Sequence, residues 1–343
     1  MNFGSLDLHA TWFILVGVLF TGYILLDGFD LGVGALHLLT RKDEHRRLML
    51  NSIGPVWDGN EVWLVTGGGA LFAAFPEVYA TVFSGFYIPF MLLLAALIFR
   101  AVAIEFRSKR PGKIWRRAWD VSFFSGSLLS SLLLGVTLGN FAWGVPLDAD
   151  GEFAGSFLGL LNPYALLVGL TTVALFMMHG SIYVVMKTEG ELHEQARGWV
   201  NNCIIFFIMC YAMVTVATLL YVPHMADALR EHPVLFVVAL VNMLAIANIP
   251  REIHLGHDGR AFISSCAAMI SLMALYALNT FPYLVYSLPH PEFSLTAYNA
   301  ASSVKTLGIM LTIALIGVPI VLAYTISIYW IFRGKVTLDR MSY

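Results

Sequence analysis

Charge is what this sequence has least of. Only 12% of its 343 residues are Asp, Glu, Lys or Arg, about half the roughly 25% of a soluble globular chain. With 58% hydrophobic residues and a mean hydropathy of +0.75, the chain could not cover a water-exposed surface. That excludes a cytosolic enzyme, a disordered chain and a nucleic-acid binder. Cysteine is nearly absent: Cys203, Cys210 and Cys266 all sit in apolar stretches, with no C-x-x-C and no spacing for zinc or covalent haem. They read as small buried side chains, and a disulfide framework is excluded. Lys and Arg are missing from 1–10, so the first apolar segment lacks a signal-peptide n-region and is expected to be retained. Of ten histidines only His179 lies clearly inside an apolar segment, where a hydrogen-bonded core histidine is expected rather than a haem ligand.

What the sequence does have is long apolar runs. About 20 apolar residues cross a bilayer, and nine candidate spans follow: 8–36, 53–74, 77–104, 119–141, 163–187, 199–222, 233–250, 260–280 and 303–332. The alternating pattern of a membrane β-barrel is not seen. The basic residues fall on alternate connections: Arg41, Lys42, Arg46 and Arg47, then Arg107 to Arg117, then Lys187 and Arg197, then Arg251 and Arg260, then the C-terminal tail. Arg100, Arg230 and Lys305 are the exceptions. The positive-inside rule puts the N-terminus outside and the C-terminus in the cytoplasm, as an odd span count requires. A faint repeat relates Leu15-Val16-Gly17 and Gly28 to Leu167-Val168-Gly169 and Gly180. The expected fold is therefore an all-α membrane domain over 1–343, with one four-helix bundle at 8–141, a second at 163–280 and a peripheral helix at 303–332.

The first three spans carry charges that hydrocarbon penalises by about 2.5–3.5 kcal/mol each. Asp27 and Asp30 lie in D-G-F-D-L-G-V-G, Asp58 and Glu61 in P-V-W-D-G-N-E-V-W-L, and Arg100 in the third span. Spacings of i and i+3 put each acidic pair on one helix face. At 1.5 Å per residue, Asp27 and Asp30 sit about 15 and 10 Å from the inner edge, Asp58 and Glu61 about 8 and 12 Å, and Arg100 about 9 Å. Five ionisable groups thus share one inner layer. Two readings stand: a proton-loading cluster open to the cytoplasm, or an interhelical clamp in which Arg100 pairs with an acid. Trp57 suits the interfacial belt, and Trp63, deeper, suits packing or a pathway lining. Gly67-Gly68-Gly69 follows no strand and is not a phosphate loop.

The motif pair D-G-F-D-L-G-V-G and P-V-W-D-G-N-E-V-W-L resembles subunit II of cytochrome bd-type quinol oxidases. F-A-A-F-P-E-V-Y-A at 72–80, L-I-F-R-A-V-A-I-E-F-R at 97–107, W-R-R-A-W-D at 115–120 and G-E-L-H at 190–193 extend the resemblance. It implies a complex in the bacterial cytoplasmic membrane that oxidises a quinol and reduces dioxygen to water. The haems (two b-type and one d-type, or b-type variants) would be bound by partner subunit I, with no metal ligand or catalytic residue on this chain. A structural quinone and small single-helix subunits are further candidates, beside membrane lipid. The resemblance implies proton access through Asp58, with Glu61, Asp27 and Asp30 as neighbours. It implies a charge-partner or haem-propionate role for Arg100 and Trp57, and an oxygen-route lining for Trp63. The competing classes are a proton-coupled transporter, disfavoured because the charges crowd into the first half, and a purely structural subunit.

Overall fold

The computed structural model describes residues 6–338. Twelve α-helices carry the chain: α1 (Leu8–Leu36), α2 (Asp43–Ile53), α3 (Trp57–Ala74), α4 (Pro76–Gly85), α5 (Tyr87–Phe106), α6 (Lys113–Trp143), α7 (Pro163–Lys187), α8 (Gly190–Tyr221), α9 (Asp227–Glu231), α10 (Phe236–His254), α11 (Asp258–Thr280) and α12 (Val304–Ile331). Among the described residues eight helical segments are long and apolar enough to cross a membrane, not the nine expected. The missing one is α3, whose 18 residues include Asp58, Asn60 and Glu61 in the opening turns. It starts at Trp57 rather than 53, because 43–53 forms the separate helix α2 before a turn. The expected third span is two helices, divided at Phe86. Several helices overrun the apolar runs: α6 starts at Lys113 and α8 at Gly190. Their amphipathic first turns continue the helix beyond the purely apolar stretch.

The two halves meet at α1 and α7, the segments related by the faint repeat. A side chain on Gly32 would lie 1.9 Å from the Phe176 carbonyl oxygen and 3.0 Å from the Gly180 Cα. Backbone therefore touches backbone, as small residues allow between membrane helices. The largest apolar core spans this seam, with Phe29, Val33, Met178, Ile182 and Tyr183 fully or nearly fully buried. Phe29 stacks on Tyr183 at 4.0 Å between ring centroids. At the opposite end a second core gathers Trp12, Phe75, Val78, Leu147 and Val285 beneath a short hairpin of β1 (Tyr283–Val285) and β2 (Leu295–Thr296). Helix α12 is the least enclosed span, with 11% of its apolar window buried.

Because backbone fills the space beside Gly32, Gly32→Ala is expected to cost about 1–3 kcal/mol through forced helix separation. Gly198, with nothing within 4 Å of its would-be side chain, should accept Ala without loss. Thermal melting of the purified complex compares the two; equal midpoints would contradict the α1–α7 contact.

Candidate functional site

The C-terminal parts of α1 and α5 and the N-terminal end of α3 converge on one guanidinium. Arg100 Nη1 and Nη2 donate to Asp27 Oδ2 and Oδ1 at 2.8 and 2.6 Å, and both side chains are 0% exposed. This bidentate, charge-assisted geometry is the strongest that the two side chains can form. Glu61 Oε1 lies 3.0 Å from Arg100 Nη2, on a side chain 26% exposed, but off the N–H direction, so it gains proximity rather than a hydrogen bond. Gly126 on α6 makes room for this arrangement: a Cβ there would meet the Ala96 carbonyl at 2.6 Å and Arg100 Cβ at 3.3 Å.

Asp30 belongs to the same layer but to a different bond network. Its Oδ2 accepts from Asn60 Nδ2 at 2.7 Å. Asn60 also donates to the Leu26 carbonyl at 3.1 Å, and its Oδ1 accepts from the Tyr329 hydroxyl of α12 at 2.8 Å. Asp30 Oδ1 is buried without a partner, while the Tyr23 hydroxyl lies buried beside Asp27. Asp58 stands apart in the first turn of α3, exposed like Gly59 and Val62 on the same helix. Trp57, half-buried, packs against the inner core. Trp63 lies flat on α1, its ring 2.3 Å from where a Gly22 Cβ would be. Of the three consecutive glycines only Gly67 makes a close contact, with Phe20.

The structure thus joins Asp27, Glu61 and Arg100 directly, sets Asp30 beside them through Asn60, and leaves Asp58 at the surface. Sequence reading missed Asn60 and Tyr329, which carry no charge. It also missed a second cluster nearer the ends of these helices. Asp120 on α6, 1% exposed, accepts from His37 Nε2 at 2.7 Å, Arg46 Nη1 at 2.7 Å and Arg107 Nε at 2.5 Å. Arg107 also bridges to Asp43 at 2.7 Å, which Arg116 shares at 2.8 Å. Asp120 lies within the fourth candidate span, an available signal, and His37, at the end of α1, is 0% exposed. His179 is the expected core histidine: Nε2 donates to the Leu25 carbonyl (3.1 Å), Nδ1 lies 2.7 Å from Ser265 Oγ, and Phe262 stacks on the ring at 4.8 Å.

A multi-pass helical membrane protein with a buried ion pair and flanking acids is the class that this fold and site define. The chain belongs to the cytochrome bd terminal oxidase subunit II family, whose model matches residues 8–332. It is 36% identical to the cytochrome bd-I ubiquinol oxidase subunit 2 of Escherichia coli (strain K12), over 97% of this chain and 96% of that one. It is 37% identical to the cytochrome bd ubiquinol oxidase subunit 2 of Bacillus subtilis (strain 168), over 96% and 97%. The structure of bd oxidase from Geobacillus thermodenitrificans has the same fold, with a TM-score of 0.77 at 18% identity, covering 96% of this chain and 98% of that one. Family membership sets the transporter reading aside.

Removing Arg100 strands a buried carboxylate, which typically costs about 3–5 kcal/mol. Arg100→Leu should therefore abolish or sharply reduce assembly, and adding Asp27→Leu should restore much of it. Complex yield from membranes measures both; full assembly of the single variant would contradict the pair's role.

Proposed function

We propose that this chain gives its oxidase cytoplasmic proton access for the reduction of dioxygen to water, while a partner subunit I holds the haems. The observation that carries this reading is a graded line of acids: Asp27 sealed on Arg100, Glu61 partly open, and Asp58 exposed one turn away on α3. Reduction of one dioxygen consumes four protons, so a site enclosed by membrane needs such a line. Asp27 spends both oxygens on the guanidinium and acts as counter-charge. Glu61 and Asp58 keep free oxygens and move protons toward the face shared with subunit I. Trp63 and the exposed Val62 and Val65 offer an apolar side of the same face to dioxygen.

The relatives are named ubiquinol oxidases, and in this reading a quinol supplies the electrons through the partner. In this reading His179 is not a haem ligand, because both its ring nitrogens are engaged. The basic connections support a multi-pass protein of the bacterial cytoplasmic membrane, N-terminus outside and C-terminus cytoplasmic. Segments 8–141 and 163–280 act as the two bundles, joined at the α1–α7 seam, with α12 peripheral. The exposed apolar faces of α8, α10 and α12 suit lipid and small single-helix subunits.

Asp58→Asn and Glu61→Gln, in the complete complex, should lower oxygen consumption with excess quinol by roughly tenfold to hundredfold while the haem spectrum stays unchanged. Unaltered rates in both would remove the acids from the mechanism and favour the purely structural subunit, for which the bidentate Arg100–Asp27 clamp is the supporting feature.

A further inference from the structure

Buried polar atoms without partners are rare in folded proteins, because each would lose its hydrogen bonds to water for nothing. Here several gather along one seam. His37 Nδ1, Ser127 Oγ, Ser130 Oγ, Asp30 Oδ1 and Arg100 Nε are all buried and unpartnered, on α1, the turn that follows it, α5 and α6. Ser127 Oγ lies 1.9 Å from the place of a Gly34 Cβ, so its hydroxyl reaches the α1 backbone only because residue 34 is glycine. Gly34 is one turn from His37 and one turn from Asp30, while Ser130 follows Gly126 by one turn on the α6 side that packs on Arg100. From the inner edge outward the order is therefore the His37–Asp120 contact, Ser127, the level of Asp30 and Ser130, then Asp27, Arg100 and Tyr23. Ten residues of α1, about 15 Å, separate His37 from Asp27.

We propose that the α1–α6 seam is a hydrated file that carries protons from the His37–Asp120 contact to Asp30 and the Arg100–Asp27–Glu61 cluster. This deepens the proton-access reading and rests on it: Asp58 and Glu61 deliver, and the seam supplies. In this proposal the waters take their two to four polar partners from these unpartnered atoms. Each hop forms one O–H bond and breaks another, so nothing but the proton is transferred. The mouth opens through Arg107 and the half-exposed Asp43, which share a bond at 2.7 Å. The narrow point is Phe123, its ring 5.1 Å from His37 and 3.3 Å from the place of a Gly34 Cβ.

The experiment is Ser127→Ala/Ser130→Ala in the complete complex, which removes two hydroxyls without adding volume. The seam reading expects quinol-driven oxygen consumption to fall at least threefold at unchanged haem content and melting temperature. It also expects a high-resolution map of the unaltered complex to show ordered water within hydrogen-bond distance of Ser127 Oγ, Ser130 Oγ and Asp30 Oδ1. A dry seam in that map overturns it, as does a double variant of full turnover, whether or not its melting temperature rises. If Glu61→Gln is slow while the serine variant is fast, the seam falls and the proton-access reading stands. If both run at full rate, both fall.

Discussion

A guanidinium and a carboxylate, both cut off from solvent, hold the inner half of this protein in register. Taking the two charges from water costs several kcal/mol per ion, and only close, well-directed bonds repay it. Arg100 and Asp27 meet that condition with two bonds shorter than 3 Å. The consequences spread outward. Helix α5 is fixed against α1, so Gly126 must leave room where α6 crosses Arg100. Glu61 is drawn to the same nitrogen without a bond of its own. It is therefore left with unspent accepting capacity beside a cation, the state in which a carboxylate can exchange a proton without dismantling the fold.

The Asp120 cluster obeys the same rule with a different balance. One carboxylate there serves His37, Arg46 and Arg107, and Asp43 serves Arg107 and Arg116. Cations outnumber acids, whereas around Arg100 acids outnumber the cation. The Asp120 cluster ties the ends of α1, α5 and α6 to α2, and its surplus positive charge lies where a cytoplasmic basic excess is expected. The deeper cluster carries more acids than cations. Charge of opposite sign at two depths is a gradient built into the seam.

Much of the architecture was legible in the sequence because apolar runs of membrane length are hard to hide. What misled was polarity at helix starts. Helix α3 fails as an apolar span because Asp58, Asn60 and Glu61 crowd its opening turns, and the turn before it is marked by Gly54-Pro55. The break at Phe86 is marked by Gly85 before it and Pro89 after it, a stop signal that the long apolar run overrode in the reading of a single span. At the site, spacing correctly set Asp27, Glu61 and Arg100 at one level, since rise per residue is reliable. Which acid would face the guanidinium was not legible, because rotation about a helix axis is set by packing partners. Asn60, Tyr329 and the serines of α6 escaped because uncharged polar residues are common in membrane helices and only their neighbours distinguish them.

Asp58 then becomes informative by its position. An exposed carboxylate beside Val62 (52% exposed) and Val65 (74% exposed) on one helix would face lipid if the chain stood alone, at a cost of about 2.5–3.5 kcal/mol near the bilayer centre, less toward the edge. Apolar neighbours argue for a dry face and the acid for a polar one. Both are satisfied only if another protein covers α3 and brings polar groups or water to Asp58 while packing on the valines. The helix that is too polar to be a span by itself is thus suited to an interface, with Asp58 on the face that the partner covers.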